Sequence, residues 1–394
     1  MSPHAINPKL VSWASDIDDE TIRQAERTAR LPIVAGHVAL MPDAHVGIGA
    51  TVGSVVPTKG AIIPSCVGVD IGCGMAAVEL DVTAEQLPDD LGRLLHRIES
   101  VVPAGVGRGH ALDARSGRTE RAVDKWFATH RPRTELSVQQ FRKAHSQFGS
   151  LGSGNHFVEV CLSDQSGRVW VVLHSGSRGI GNQLAEDHIK TARRLAKDLH
   201  LRLEDPDLAW FVEGTREFEV YVADMLWAQE YARANRDAML DALLAEVISF
   251  IGAGREIDRI NCHHNYCVQE KHGGKKLWIT RKGAIRAGAG ERGIIPGSMG
   301  TASYIVSGLG SAESWESCSH GAGRKHSRSK AKRLFTTDDL ARQMAGKVWL
   351  SDKPAALLDE IPSAYKDIEQ VMADQADLVA IENTLQQVLN YKGT

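Results

Sequence analysis

The chain has 394 residues, 43% of them hydrophobic and 24% charged, with a formal net charge of −3. That length can bury a large core, in one α/β domain or in two or three smaller ones, and the charge balance excludes bulk electrostatic attraction as the basis of nucleic-acid binding. Six scattered cysteines (Cys66, Cys73, Cys161, Cys262, Cys267, Cys318) form no disulfide framework, and without a secretory pattern or an apolar run of about 18 residues, a cytoplasmic protein with no membrane partner is expected.

Asp18, Asp19 and Glu20 lead into TIRQAERTAR, an amphipathic helix with acids at its positive end. IVAGHVAL then predicts a buried strand. If the MPDAH segment that follows is extended, Asp43 and His45 share one side. Residues 41–75 are rich in glycine and centre on GVDIGCG, where Asp70 and Cys73 stand three apart. Glycine on both sides of the cysteine permits tight backbone bends, so a carboxylate and a thiolate could point at one ion. Beyond it, Leu87, Leu91, Leu94, Leu95 and Ile98 mark a helix.

Residues 103–121 are rich in Gly and Arg and predict a surface loop carrying Arg108, Arg115, Arg118 and Arg121. It would be either a solvated linker or a flap that contacts phosphates. Helices are expected near 122–130 and 137–147. A second glycine stretch, GSLGSGNHFVE, brings His156 to the start of a strand, and RVWVVLHSGSRGIGN ends a strand at His174 before a small-residue turn with Arg178. Such strand-to-helix turns suit oxyanions and phosphates.

Helices are expected over 183–200 and 216–250, the second with Phe218, Val222, Leu226, Leu240, Leu244 and Val247 towards the core. NCHHN follows. Adjacent residues on a strand face opposite ways, so only one of His263 and His264 can face a given site. LWITRKGAIRAGAG reads as strand, turn, strand; IIPGSMG as a turn whose backbone could cradle a nucleotide; TASYIVSG as a strand. The stretch SCSHGAGR sets His320 among glycines beside Arg324, ahead of the basic run KHSRSKAKR. Residues 364–390 predict a terminal helix.

Asp70, Cys73, His156, His174 and one of His263 or His264 make a set able to hold one or two ions. Thiolate and imidazole suit zinc, and the carboxylate leaves room for manganese. A bridging Cys73 would let two ions clamp a phosphoryl group. His320, approachable among its glycines, is a competent nucleophile towards phosphorus when neutral, and Arg178 and Arg324 could hold phosphate oxygens. These parts read together as nucleotidyl transfer through a phosphohistidine.

At these residues the chain closely resembles the RtcB family of RNA ligases. MPDAH, GVDIGCG, GSGNHFVE, HSGSRGIGN, NCHHN, RKGA, IIPGSMGTASY, SCSHGAGR and IPSAYKDI occur in the family's order across nearly the whole chain. The resemblance implies the family's own α/β fold, with mixed β-sheets and flanking helices around a central metal pocket, as a single catalytic domain over residues 1–394. It implies a GTP- and Mn²⁺-dependent ligase, expected to act as a monomer. Such an enzyme joins RNA 3′-phosphate or 2′,3′-cyclic phosphate ends to 5′-hydroxyl ends, in RNA repair or tRNA splicing.

His320 matches the guanylated histidine of the family. Asp70, Cys73, His156, His174 and His264 match its manganese ligands for two ions, His264 being chosen for the Asn265 that follows it. Guanylate contacts are implied for Asn155, His156, Phe157, Val158, Glu159, His264, Asn265, Pro296, Gly297, Ser298, Met299, Ser303, His320, Gly321, Ala322, Gly323 and Lys392. RNA or phosphate contacts are implied for Asp43, Arg178 and Arg324. A metal-dependent phosphoesterase and an RNA-binding module with a structural metal are the rival readings; neither needs a guanine-nucleotide pocket.

Overall fold

Two large sheets organise the chain. In the computed structural model, which describes residues 3–111 and 117–393, the first sheet has six strands in the order His4–Asn7, Leu10–Ser12, Val38–His45, Val52–Thr58, Lys275–Lys282, Asn265–His272. The second has seven, in the order Glu256–His263, Gly74–Thr83, Arg168–Ser175, Phe157–Ser163, Val379–Lys392, Ser303–Gly308, Arg292–Pro296. Every pairing in the second sheet is antiparallel. The fold is α/β, as expected.

The strand Gly74–Thr83 shows why the second sheet lies buried. Its alternate side chains Ala76, Val78, Leu80 and Val82 enter one core, and Met75 and Ala77 enter another on the opposite face. The first of these cores is closed by the helix Arg216–Ile251, through Met239, Leu240, Leu243 and Val247. That helix starts on Thr215, whose hydroxyl accepts from the Phe218 N–H, and stops at Gly252 in the left-handed conformation, φ 80°. Buried groups lie all round it, as a helix enclosed by other elements requires. Leu226, expected in the core, is instead 42% exposed.

A single residue, His264, joins the edge strand of one sheet to the edge strand of the other. The two sheets therefore meet at NCHHN. There, three neighbouring strands of the second sheet end together: Gly74 lies opposite Ser175 and His263, and His174 opposite Met75 and Phe157. Lys392 lies opposite Phe157 at the same end.

Three expectations are corrected. The strand predicted over 33–40 begins only at Val38 and runs on through MPDAH to His45. The stretch 103–121 is not all loop, because Gly117–Thr129 is helical; Arg115 and the side chain of Arg118 lie outside the described residues. The terminal helix is a short one, Ile368–Asp374, followed by the 14-residue strand Val379–Lys392. Leu385, Val388 and Leu389 offer a helical spacing, but from Leu385 to Leu389 burial alternates, with Leu385, Gln387 and Leu389 buried and Gln386 exposed, and the last residues to Lys392 are all buried. Among the described residues no helix is long and apolar enough to cross a membrane.

Candidate active site

The meeting of the sheets encloses a cavity of about 370 Å³. Gly-rich segments bring the donor atoms there. Asp70 and Cys73 sit in the bend before the strand Gly74–Thr83, where the Cys73 N–H donates to the Asp70 carbonyl at 3.1 Å. Gly176 must be glycine, because a Cβ there would lie 2.2 Å from Asp70 Oδ1. The Ser177 N–H donates to the same carboxylate at 3.0 Å.

Cys73 Sγ stands 3.4 Å from His156 Nε2 and 3.3 Å from His174 Nε2. His174 Nε2 is 3.2 Å from His264 Nε2, and His156 Nε2 is 3.1 Å from Asp70 Oδ2. These five side chains form two overlapping donor sets, Asp70–Cys73–His156 and Cys73–His174–His264, that share the sulfur. His174 Nδ1 faces the Asn155 carbonyl at 3.1 Å, which makes Nδ1 the protonated nitrogen and leaves Nε2 as a lone-pair donor. His263 turns the other way, towards Arg236 and the Gly72 carbonyl.

Electrostatics agree with a cation site. Burial, and then the charges of neighbouring histidines, hold His174 and His264 well below the usual imidazole range, so both rings are neutral, the form a metal ligand needs. Burial and the Asp70 charge push the Cys73 thiol well up. Asp70 goes the other way: burial would raise it, but the hydrogen bond and charge of His156 hold it far below the carboxylate range. A carboxylate, a sulfur and three imidazole nitrogens converge here, and a bound cation in place of the His156 proton would let all five act as donors. The residues present therefore fit a metal.

His320 completes the site from the end of the short strand Ser317–Ser319. Its ring lies 4.8 Å from that of His264. Gly283, with φ 62°, makes room for it, since a Cβ there would stand 2.9 Å from His320 Cε1. His320 Nδ1 lies 2.6 Å from Asp43 Oδ2, and the His320 backbone N–H donates to the same oxygen at 3.1 Å. Asp43 has no solvent exposure. Burial would raise its carboxyl, but the charge and hydrogen bond of His320 hold it below its ordinary value. The carboxylate can only accept, so it fixes the proton on Nδ1 and presents Nε2 as the nucleophilic nitrogen. Asp43 is thus placed to orient His320; it is expected as an RNA contact, but it has no solvent exposure and stands behind the cavity wall. His45 does not bond the Asp43 side chain; its Nδ1 meets the Asp43 carbonyl at 2.9 Å, and the ring lines the cavity.

The other expected contacts divide. Asn155, Phe157, Asn265, Pro296 to Met299, Gly321 to Arg324 and Lys392 line the cavity. Val158, Glu159 and Ser303 are buried behind that wall, where Ser303 Oγ donates to Glu159 Oε2 at 3.3 Å. In the turn Pro296–Met299, whose backbone is expected to cradle a nucleotide, two amides are already engaged: the Gly297 N–H donates to the Ala302 carbonyl and the Ser298 N–H to Thr301 Oγ1. Arg324 already has Glu360, Tyr365 Oη and the Asp359 carbonyl as acceptors. Arg178 is buried, and its Nε donates to Ser150 Oγ at 3.3 Å. Sequence reasoning missed Glu360, which pairs with Lys392 at 2.8 Å. It also left Lys282, in the RKGA motif, without a role.

A family profile described as tRNA-splicing ligase RtcB matches residues 24–393. The chain belongs to the RtcB family. It is 44% identical to the RNA-splicing ligase RtcB of Escherichia coli, over 98% of each chain. It is 31% identical to the tRNA-splicing ligase RtcB of Nanoarchaeum equitans, over 90% of this chain and 87% of that one. For the RNA-splicing ligase RtcB of Mycobacterium tuberculosis the identity is 29%, over 89% and 94%. The ordered motifs of this RtcB-family chain are the ones that converge on the cavity.

Proposed function

We infer that the protein is an RNA ligase that uses GTP to join a 3′-phosphate or 2′,3′-cyclic phosphate end to a 5′-hydroxyl end. The names of its relatives supply the ligase class and RNA as the joined substrate. The observation that carries the nucleotide chemistry is His320, held by Asp43 with Nε2 free, against the imidazole of His264.

In this reading His320 Nε2 attacks the α-phosphorus of GTP. The P–N bond forms as the bond to pyrophosphate breaks, and Asp43 stabilises the cationic ring while keeping the proton on Nδ1. An oxygen of the RNA 3′-phosphate then attacks the same phosphorus and releases the imidazole. Last, the 5′-hydroxyl oxygen attacks the 3′ phosphorus; GMP leaves and the hydroxyl proton is lost. Cyclic ends are first opened by water. Two Mn²⁺ ions, held by Asp70, Cys73, His156, His174 and His264, would neutralise charge on the phosphates. Phe157, Met299 and Lys392 supply an apolar and cationic wall for the guanylate, where Lys392 Nζ lies 5.2 Å from the Phe157 ring centre.

Intact-mass measurement after incubation with GTP and Mn²⁺ tests the reading. One GMP is expected on the wild-type protein and none on His320→Ala. Removal of terminal phosphate without joining, indifferent to GTP, would mark a phosphoesterase instead.

A further inference from the structure

The helix Arg216–Ile251 carries two polar residues with no solvent exposure, Asn235 and Arg236. Neither lines the cavity. The helix lies so close to the bend before Cys73 that Gly72, at φ 73°, has no room for a side chain. A Cβ there would stand 2.8 Å from Gln229 Cα and 2.9 Å from Ala232 Cβ. Arg236, one turn on from Ala232, faces the same bend.

A guanidinium keeps its charge when buried and offers its N–H donors in a rigid planar fork. Among the described residues no carboxylate pairs with Arg236. Nη1 donates to the Gly72 carbonyl at 2.8 Å and to the Ser175 carbonyl at 3.0 Å. Nε donates to Asn261 Oδ1 at 2.8 Å, and Nη2 meets His263 Nδ1 at 3.1 Å.

Three of these partners adjoin candidate metal ligands in the chain. Gly72 precedes Cys73, Ser175 follows His174, and His263 precedes His264. Cys73, His174 and His264 are one of the two donor sets. Asp70 and His156, which complete the other set with the shared sulfur, have no such neighbour among the described residues; Asp70 is held instead by the Ser177 N–H. One fork therefore ties together the ends of three strands at the residues that carry a single donor set. Groups that hold a ligand in place govern metal affinity nearly as strongly as the ligand does.

We propose that Arg236 is a positioning residue for one metal ion of the pair, its fork setting the spacing of Cys73, His174 and His264. The inference rests on the two-metal reading given above and adds to it a residue that touches neither ion.

The test counts ions. Wild-type protein without GTP or RNA is titrated with Mn²⁺ and followed by equilibrium dialysis and electron paramagnetic resonance. It should take up two ions with the spectrum of a coupled pair; fewer would overturn the two-metal reading itself, before any variant is compared. Arg236→Met should weaken one ion about 100-fold and the other only about threefold, through the shared sulfur, leaving the spectrum of a lone ion. Arg236→Lys keeps the charge but loses the fork, and should still weaken the first ion about tenfold or more. Added to His264→Ala, Arg236→Met should change uptake no further; added to His156→Ala, it should weaken the ion that remains. Asn261→Ala, at a half-buried position, decides the matter if the Arg236 variants fail to fold. Loss of its one bond to the fork should weaken the same ion about fivefold and leave the other within about twofold. Equal weakening of both ions would make Arg236 a general support of the bend. Weakening of neither would make it a packing group, and full rescue by Arg236→Lys would assign the effect to charge alone. Each of these results overturns the proposal.

Discussion

The cavity has a wall from each large sheet, and the two walls each bury one lysine and hold it by different means. Lys392 rests on the carboxylate of Glu360, which also accepts from Arg324 and Arg328. Lys282 rests on carbonyl dipoles alone. A wall of paired charges is neutralised before any ligand arrives, and an anion must compete with Glu360 for it. A wall held by dipoles keeps its charge for the ligand. The first arrangement favours a ligand that brings its own donors and acceptors, as a guanine base does; the second favours an anion.

The largest effect should come from breaking the paired wall. Glu360→Gln removes the counter-charge of Lys392, whose side chain is 5% exposed, and of Arg324, and one of the two carboxylates that hold Arg328. A buried pair that loses one partner costs about 3–5 kcal/mol, read as a drop in unfolding free energy by denaturant titration. Lys282→Met removes a cation together with its desolvation and leaves two carbonyls at a cavity edge, so it should cost only about 1–2 kcal/mol. Equal costs would erase the distinction between the walls.

The next effect sharpens the role of the residue between them. Asp43→Asn keeps the size of a side chain with no exposure but loses the charge that holds His320. Guanylation should slow roughly 100-fold, equivalent to about 2.7 kcal/mol in the barrier. Single-turnover adduct formation followed by mass reads it, and GTP affinity should hold. A slowing under threefold would mean that the ring is oriented by packing alone.

The sequence shows the parts of the site that are local and hides those that are not. Asp70 and Cys73 are legible because glycines flank them, and only one of His263 and His264 faces the site, as expected, although His264 stands at the bend between two strands and not within one. No periodicity could pair Asp43 with a ring 277 residues away, so Asp43 reads from sequence as an RNA contact. Nor could it show that Lys282 finds the Ser65 carbonyl 217 residues back, or that Lys392 meets Glu360. Such contacts arise where the two sheets meet, and alternation within one strand carries no record of another. The terminal strand fails for a local reason: Leu385, Val388 and Leu389 fit a helical face, while the pairing of Val379–Lys392 with two strands of the second sheet overrides it.

A further predicted effect lies behind the second-sheet wall and concerns the same contrast, a charge with and without its partner. Glu159 is 1% exposed and accepts from Ser303 and Asn390. Burial is the largest influence on it and pushes its carboxyl up to about 8, against the opposing pull of Lys392. The folded protein therefore holds a proton that the unfolded chain releases above pH 4.5. Stability from this group is complete below that pH and is lost as the pH rises towards about 8. Between pH 5 and pH 7 the loss should be roughly 2 kcal/mol. Glu159→Gln keeps an acceptor for Asn390 and has no proton to lose, so its unfolding free energy should lack that decline. Parallel pH profiles for the two proteins would mean that Lys392, and not burial, governs Glu159, and that the second-sheet wall is ion-paired throughout.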